Sequence, residues 1–249
     1  MRLVLASFDG HLFWTALTSG PYWRGALTAF ELTVVALATA IVIGFFAALG
    51  ALSDRRRFRT VAWIYNWVFR ATPTLLQLYF IWYALPQIWG VFAGHWFTPF
   101  AAAWLALSLN EGAYMSEIIR AGLLSVDPGQ ELAGRALGMS RTQILRKVVV
   151  PQAVRIVIPP TGNEFITLLK LTSLAFVISL HELLTAAQEL AASTFQYPEP
   201  LAASLVYYLV IVSILMVVQS RLERRFSWTS QRRRRGAAVP APAVSHDAR

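Results

Sequence analysis

Residues 32–52 read LTVVALATAIVIGFFAALGAL, a stretch without a single charged side chain. A helix rises about 1.5 Å per residue, so about 20 apolar residues cross the roughly 30 Å hydrocarbon core of a bilayer. Residues 200–220 are likewise uncharged, and residues 71–110 contain no Asp, Glu, Lys or Arg. The sequence therefore predicts an all-α, polytopic membrane protein.

The overall composition agrees with a membrane protein and excludes several other classes. Of the 249 residues, 56% are hydrophobic and 14% are charged, whereas soluble domains have about 45–50% and about 25%. The chain has no cysteine, which rules out disulfides, a thiol nucleophile and thiolate metal sites. It contains no phosphate-binding loop motif, and its four histidines have neither metal-ligand nor catalytic-dyad spacing. We therefore expect no catalytic residue and no metal site.

The apolar stretches predict about five transmembrane helices within a permease domain at residues 25–226. These spans are expected at about residues 26–52, 60–85, 97–120, 152–181 and 199–221. Residues 1–24 are expected to form an N-terminal surface segment. Residues 227–249 contain an arginine run followed by Ala-Val-Pro-Ala-Pro, which predicts a basic disordered tail facing membrane lipid.

Three of the predicted spans contain charged residues or prolines, which are uncommon inside a membrane helix. The third is too short unless it continues through Glu111 and Glu117, which places two carboxylates in or near the bilayer. The fourth contains Lys170, and Pro159-Pro160 is expected to kink or interrupt its helix. In the second span Pro73 predicts a kink, with Arg70 snorkelling toward the cytoplasm.

The cations indicate how the chain is oriented. Eighteen of the 22 Lys and Arg residues lie in three segments, namely the loop at residues 55–59 after the first span, residues 120–155 and residues 221–249. Only Arg2 and Arg24 precede the first span. Cytoplasmic loops carry an excess of Lys and Arg, so the N-terminus is expected outside and the C-terminus in the cytoplasm. Because the cations sort by side of a membrane, they do not indicate a nucleic-acid partner.

One cytoplasmic segment, residues 127–151, reads DPGQELAGRALGMSRTQILRKVVVP. Its pattern predicts two short amphipathic helices joined by a turn at Gly138, with Ser140 capping the second helix. Leu132, Ala136 and Leu137 share one face, and Ile144 is expected to continue the apolar stripe. Such a helix pair suits docking into a groove on a partner, although it could equally pack on its own bundle.

This segment resembles the coupling motif of ABC importer permeases. That motif is Glu-Ala-Ala, three residues, Gly, nine residues, Ile, one residue and Leu-Pro. Here Leu132-Ala133-Gly134 stand first, Gly138 is the glycine, and Val148 and Val150-Pro151 close the pattern. The spacing is intact, whereas the family's glutamate is replaced by Leu132, with Glu131 one position earlier.

Three further segments are similar to the polar amino acid branch of that family, the permeases of histidine, glutamine and glutamate type. Residues 70–78 resemble its Arg-Gly-Thr-Pro segment, and residues 113–120 and 162–174 match the branch as well. The resemblance extends from about residue 24 to residue 226.

The resemblance implies the permease subunit of an ATP-driven importer that moves polar amino acids across the cytoplasmic (inner) membrane by alternating access. It implies no cofactor in this chain, since ATP would be bound by a cytoplasmic ATP-binding subunit dimer. Further implied partners are a second permease subunit, identical or homologous, and an extracytoplasmic amino acid binding protein. The residues implied in ATPase coupling are Ala133, Gly134, Ala136, Leu137, Gly138, Met139, Ser140 and Arg141.

Polar residues within the third and fourth spans are candidates for the substrate path. Each span carries three of them at i, i+4 and i+7, which places them on one helix face. If the two faces meet, they form a polar seam that can hydrogen-bond a zwitterionic amino acid. The candidates are Asn110, Glu111, Tyr114, Asn163, Glu164, Thr167 and Lys170.

A bracing role for the same residues remains open. Glu111 or Glu117 could pair with Lys170 or Arg70, and Arg120 can reach Glu117 from one turn away. The alternative function is an ion- or proton-coupled amino acid carrier that uses Glu111 and Lys170. ATP dependence separates the two functions.

Overall fold

The computed structural model describes residues 8–236, with side chains up to residue 226, and this part of the chain is helical without a strand. The α-helices are α1 (Gly10–Thr18), α2 (Gly20–Ala51), α3 (Arg56–Ala71), α4 (Thr74–Tyr79), α5 (Leu85–Ile88), α6 (Pro99–Leu124), α7 (Pro128–Ala136), α8 (Arg141–Ile144), α9 (Val150–Leu171), α10 (Leu183–Thr194) and α11 (Pro198–Gly236). Two π-helical turns, Phe80–Ala84 and Leu145–Val149, and two 3₁₀ segments, Gly90–Ala93 and Thr172–Ile178, connect some of them.

Three helical stretches are long and apolar enough to cross a membrane: Gly20–Ala51, Arg141–Ile178 and Pro198–Phe226. The predicted second span is divided into α3, α4 and α5, and the predicted third span is α6, which carries Glu111, Glu117 and Arg120. Five spans and the orientation of the termini therefore stay predictions.

The bundle is centred on the packing of α2 against α6. A Cβ built on Gly44 would lie 2.7 Å from Met115 Cβ and 2.8 Å from the Ser116 nitrogen. Around this crossing the core is built of small residues, among them the fully buried Ala40 and Ala106. Small residues let membrane helices approach closely and gain dispersion contacts, since lipid tails offer no hydrophobic gain there.

The helix is interrupted between α3 and α4, where the backbone of Thr72 and Pro73 is extended. The kink predicted at Pro73 is therefore a complete interruption of the helix. In contrast, α9 runs through Pro159 and Pro160 without interruption, which corrects that part of the expectation. Gln219 Nε2 donates to the Pro159 carbonyl at 2.6 Å, and this contact ties α11 to α9 beside the prolines.

The last helix extends beyond its predicted end. It continues from Pro198 to Gly236, past residue 221 and into the segment predicted to be disordered; residues 237–249 of that segment lie outside the described residues. At the other end, α1 and the start of α2 occupy the predicted surface segment. The backbone nitrogen of Asp9 donates to Glu199 Oε1 at 2.8 Å, which holds α1 against α11.

Glu182 begins α10 beyond the predicted fourth span. Its fully buried carboxylate accepts hydrogen bonds from the Leu184 and Thr185 nitrogens at 2.9 and 2.8 Å and from Tyr208 Oη at 3.2 Å. Burial raises the pKa of Glu182 to about 7, while these hydrogen bonds act in the opposite direction. The carboxylate therefore caps α10 and connects it to α11.

Candidate functional site

The loop at residues 127–151 is built by local signals. Asp127 caps α7 by accepting a hydrogen bond from the Gly129 nitrogen at 2.8 Å. Gly138 has a φ of +73°, in the left-handed region that side chains with a Cβ rarely adopt. Ser140 and Gln143 form a reciprocal capping box at the start of α8. The structure thus confirms the predicted turn and the predicted cap.

The two loop helices pack against each other through Gly134 and Ile144. A Cβ on Gly134 would lie 2.9 Å from Ile144 Cγ1, and Ile144 is 3% exposed. Ile144 therefore faces the inside of the helix pair, whereas Leu132 and Leu137, with which it was expected to share an apolar stripe, face solvent. This contact fixes the angle between α7 and α8, so the pair can act as one rigid unit.

The outer side of the helix pair presents apolar side chains to solvent. Leu132 is 64% exposed and Leu137 is 81% exposed. Ala133, Ala136 and Arg141 are also exposed, and Met139 is half-buried. Exposed leucines on a rigid, partly charged surface are a feature of docking sites for another protein.

The two predicted polar faces of α6 and α9 do not meet. Asn110, Tyr114 and Glu117 face α3 and the break that follows it, as described below. Asn163, Thr167 and Lys170 are exposed on the surface of the chain. Asn163 Nδ2 donates to Glu223 Oε1 at 3.3 Å, and within residues 8–226 no carboxylate forms an ion pair with Lys170.

Asn110 forms hydrogen bonds at the helix interruption between α3 and α4. In an uninterrupted helix the Phe69 carbonyl would accept from the backbone nitrogen of residue 73, but proline has no N–H to donate. Asn110 Nδ2 donates to that carbonyl at 3.1 Å, and Gln77 Nε2 donates to it at 3.0 Å. Asn110 also donates to Gln77 Oε1 at 3.0 Å. The two amides therefore satisfy a carbonyl that the break leaves free.

Tyr114 and Glu117 lie further along the same face of α6. The Arg70 guanidinium lies over the Tyr114 ring, 5.5 Å from its centre. Glu117 Oε2 pairs with Arg120 at 2.7 Å, and Glu117 Oε1 accepts from Asn66 Nδ2 at 3.1 Å. The bracing alternative is thus confirmed for Glu117, which is paired with Arg120 and held by α3.

Two other candidates, Glu111 of α6 and Glu164 of α9, lie where these two helices pack together. Glu111 is 1% exposed, and its carboxyl group lies beside that of Glu164. Glu111 Oε1 is buried without a partner. The structure therefore brings two carboxyl groups together inside the bundle.

Sequence reasoning missed Gln77, Asn66 and Gln219, which bridge helices from buried positions. A signal existed for Gln77 and Gln219, since each amide lies in an otherwise apolar stretch and needs a hydrogen-bond partner there. Asn66 lies in the more polar α3, where nothing distinguishes it before the helices are packed.

Known proteins resemble this chain over most of its length. Residues 40–228 match the family described as "Binding-protein-dependent transport system inner membrane component". The arginine transport system permease protein ArgU of Corynebacterium glutamicum is 37% identical over 91% of this chain and 73% of its own length. The glutamine transport system permease protein GlnP of Escherichia coli is 37% identical over 88% of this chain and 97% of its own length.

A solved structure shows the same architecture. A crystal structure of an amino acid ABC transporter with histidines contains a chain that is 34% identical, with a TM-score of 0.77, over 88% of this chain and 99% of its own length. The residues that match the family, 40–228, include the loop at residues 127–151 and the polar residues of α6 and α9. The protein described here therefore belongs to the family of binding-protein-dependent transport system inner membrane components, as a membrane permease of the amino acid ABC transporters.

Proposed function

We propose that this chain is the permease subunit of an ATP-driven importer that carries polar amino acids across the cytoplasmic membrane. Its relatives are named for the transport of arginine and of glutamine. The observation that carries the proposal is the packed helix pair at residues 127–151, which presents Leu132 and Leu137 to solvent. Full burial of a leucine side chain stabilises a protein or a complex by about 1.5–3 kcal/mol, and that free energy is not gained while the leucine is exposed. Docking of a partner would recover that energy.

The partner at this loop is a cytoplasmic ATP-binding subunit, two copies of which bind the ATP. Residues 133–134 and 136–141 form the coupling surface. A second permease subunit, identical or homologous, completes the membrane unit, and an extracytoplasmic amino acid binding protein delivers the substrate. Nucleotide and loaded binding protein both favour the outward-facing state, so that together they shift the population toward it. Hydrolysis then returns the permease to the inward-facing state.

The exposed face of α9 lines the substrate path in this proposal. An ionisable side chain inside a bilayer costs on the order of 3 kcal/mol unless it has a partner or meets water. In this proposal the second permease subunit encloses a polar passage over Asn163, Thr167 and Lys170, and the Lys170 ammonium contacts water in that passage. The Lys170 ammonium would then attract the substrate carboxylate.

The test compares two substitutions of Gly138 in proteoliposomes that contain the permease, the ATPase and the binding protein. Nothing lies within 4 Å of a Cβ built on Gly138, so only its backbone conformation is challenged. Valine in the left-handed region costs more than about 1–2 kcal/mol, whereas asparagine tolerates it. We expect Gly138→Val to abolish ATP-driven uptake and Gly138→Asn to retain most of it.

Equal uptake by Gly138→Val and Gly138→Asn would contradict the role of this turn. A crosslinker on Ser140→Cys gives an independent readout, since the chain has no other cysteine; capture of the ATPase is expected. Uptake that persists without ATP and collapses with a protonophore would instead support the ion-coupled carrier.

A further inference from the structure

A cavity of about 640 Å³ lies between the end of α2, α3 and α6, apart from the exposed face of α9. It is lined by three arginines, a single carboxylate and several aromatic rings. The residues used below are Arg59, Trp63, Trp67, Arg70, Glu117 and Arg120.

One face of α3 supplies the basic and aromatic part of this lining. Arg59, Trp63 and Arg70 follow the spacing i, i+4 and i+11, which places them on one side of the helix. The rings of Trp63 and Trp67 are stacked with an angle of 1° and a distance of 5.9 Å between centres. They are 62% and 59% exposed, as expected of the tryptophans that collect at the membrane–water interface.

The charges of the cavity do not balance. Glu117 forms an ion pair with Arg120, so that one arginine is neutralised. Among the described residues no carboxylate forms an ion pair with Arg59 or Arg70, and the Arg70 guanidinium contacts only the face of the Tyr114 ring. The cavity therefore retains two positive charges that lack a counter-ion.

The position of the cavity indicates the source of that counter-ion. The preceding loop carries Arg55, Arg56 and Arg57, and in the predicted orientation it faces the cytoplasm. Side chains of a helix lean toward its N-terminus, so the long arginines of α3 extend toward that surface. Basic pockets between membrane helices on this side bind anionic lipid headgroups, and anionic lipids are enriched in this leaflet.

We propose that this cavity binds the phosphate headgroup of an anionic phospholipid. Arg59 and Arg70 lie about 16 Å apart along α3, so they provide positive potential from both sides of the bound phosphodiester. The stacked Trp63 and Trp67 between them pack against the glycerol and the start of the acyl chains. The proposal concerns lipid bound to this chain alone and stands whether or not the transported substrate is an amino acid.

The test measures phospholipid retained by the full chain. The protein is purified in mild detergent from membranes that contain phosphatidylglycerol, and bound lipid is counted by native mass spectrometry. The double variant Arg59→Gln/Arg70→Gln is compared with Arg56→Gln/Arg57→Gln, which loses the same charge outside the cavity. Because each basic residue near an anionic headgroup favours binding by about fivefold, we expect the first variant to hold phosphatidylglycerol roughly thirtyfold more weakly. The second variant loses two arginines of the same surface that do not line the cavity, so its loss should be clearly smaller.

A second measurement separates lipid from a free anion. Delipidated protein is heated with short-chain phosphatidylglycerol, short-chain phosphatidylcholine, inorganic phosphate or an amino acid mixture. A rise in the melting temperature with phosphatidylglycerol alone, absent in Arg59→Gln/Arg70→Gln, supports the proposal. Equal lipid retention by both double variants would overturn it, as would equal stabilisation by inorganic phosphate or by amino acids.

Discussion

The loop at residues 127–151 and the polar residues of α6 and α9 differ in what determines their structure. In the loop, each feature arises from neighbours in the chain: the Asp127 cap, the left-handed Gly138 and the Ser140–Gln143 box. Within the helix bundle, Asn110 and Glu117 make their contacts with α3, more than 40 residues away in sequence. Local hydrogen bonds can be predicted from spacing, whereas the choice between two possible partner helices depends on how the bundle packs.

The largest effect is expected where packing between distant helices is tightest. Gly44→Val places its Cβ within 3 Å of the backbone of α6, and such overpacking costs about 3 kcal/mol or more when the backbone must move. Thermal unfolding in detergent should show a strongly lowered melting temperature. Gly90→Val is the control, because nothing lies within 4 Å of a Cβ there. Similar melting temperatures for the two variants would contradict the close packing of α2 and α6.

The next effect concerns the loop surface and leaves folding intact. Leu137 is 81% exposed, so Leu137→Ser should not change the melting temperature of the isolated chain. If the ATPase covers this leucine, loss of about 1.5–3 kcal/mol weakens binding of the ATPase about tenfold to a hundredfold. Binding assays with the purified ATPase test this. Ala136→Ser serves as the neighbouring control and should have a much smaller effect; unchanged affinity in Leu137→Ser would place the docking surface elsewhere.

A third substitution distinguishes the two polar faces of the membrane region. Asn110→Leu leaves the Phe69 carbonyl and Gln77 Oε1 without one of their donors, and such a loss costs about 1–3 kcal/mol in a buried site. Asn163→Leu removes one hydrogen bond of 3.3 Å at an exposed position. Thermal unfolding should therefore show a clear loss for the first variant and little for the second. The reverse order would mean that α9, and not the break after α3, needs its amide for stability.

The smallest effect is expected for the ion pair on the loop surface. Glu131 pairs with Arg135 at i, i+4, and both side chains are well exposed. Such pairs contribute about 0.3–0.5 kcal/mol and are screened by salt. Glu131→Gln should leave the melting temperature almost unchanged at physiological ionic strength. A large loss of stability would show that Glu131 has a role that its local pair does not explain.

The predictions from sequence succeeded where the signal is confined to one segment. The apolar run of α2 and the helix–turn–helix of residues 127–151 are present, and the family follows from motifs whose spacing survives the replacement of the usual glutamate by Leu132. The interruption at Pro73 was expected as a kink, and its full extent depends on Gln77 and Asn110, which satisfy the free carbonyl. The helix α9, in contrast, continues through Pro159 and Pro160, where the sequence predicted a kink or an interruption.

The polar faces show why the remainder could not be predicted. Helical spacing correctly grouped Asn163, Thr167 and Lys170 on one side of α9, and all three residues are exposed. It also grouped Asn110, Tyr114 and Glu117, but α3 occupies that side of α6. The candidates that come together between α6 and α9 are Glu111 and Glu164, which lie one position away from the predicted faces. Periodicity gives the face of a helix and not the neighbour that covers it.

The sequence by itself determined that the chain is helical and apolar enough for a membrane, where its loop helices begin and turn, and to which family it belongs. Each of these depends on hydrophobicity, on proline and glycine backbone preferences or on caps, which act within a few residues. Only the tertiary structure decided which carboxylates meet, which carbonyl the amides of Asn110 and Gln77 satisfy, and that no carboxylate of the described residues pairs with the cavity arginines Arg59 and Arg70. These outcomes depend on contacts between residues far apart in the chain, because a buried polar group takes whichever partner the packed helices bring within reach.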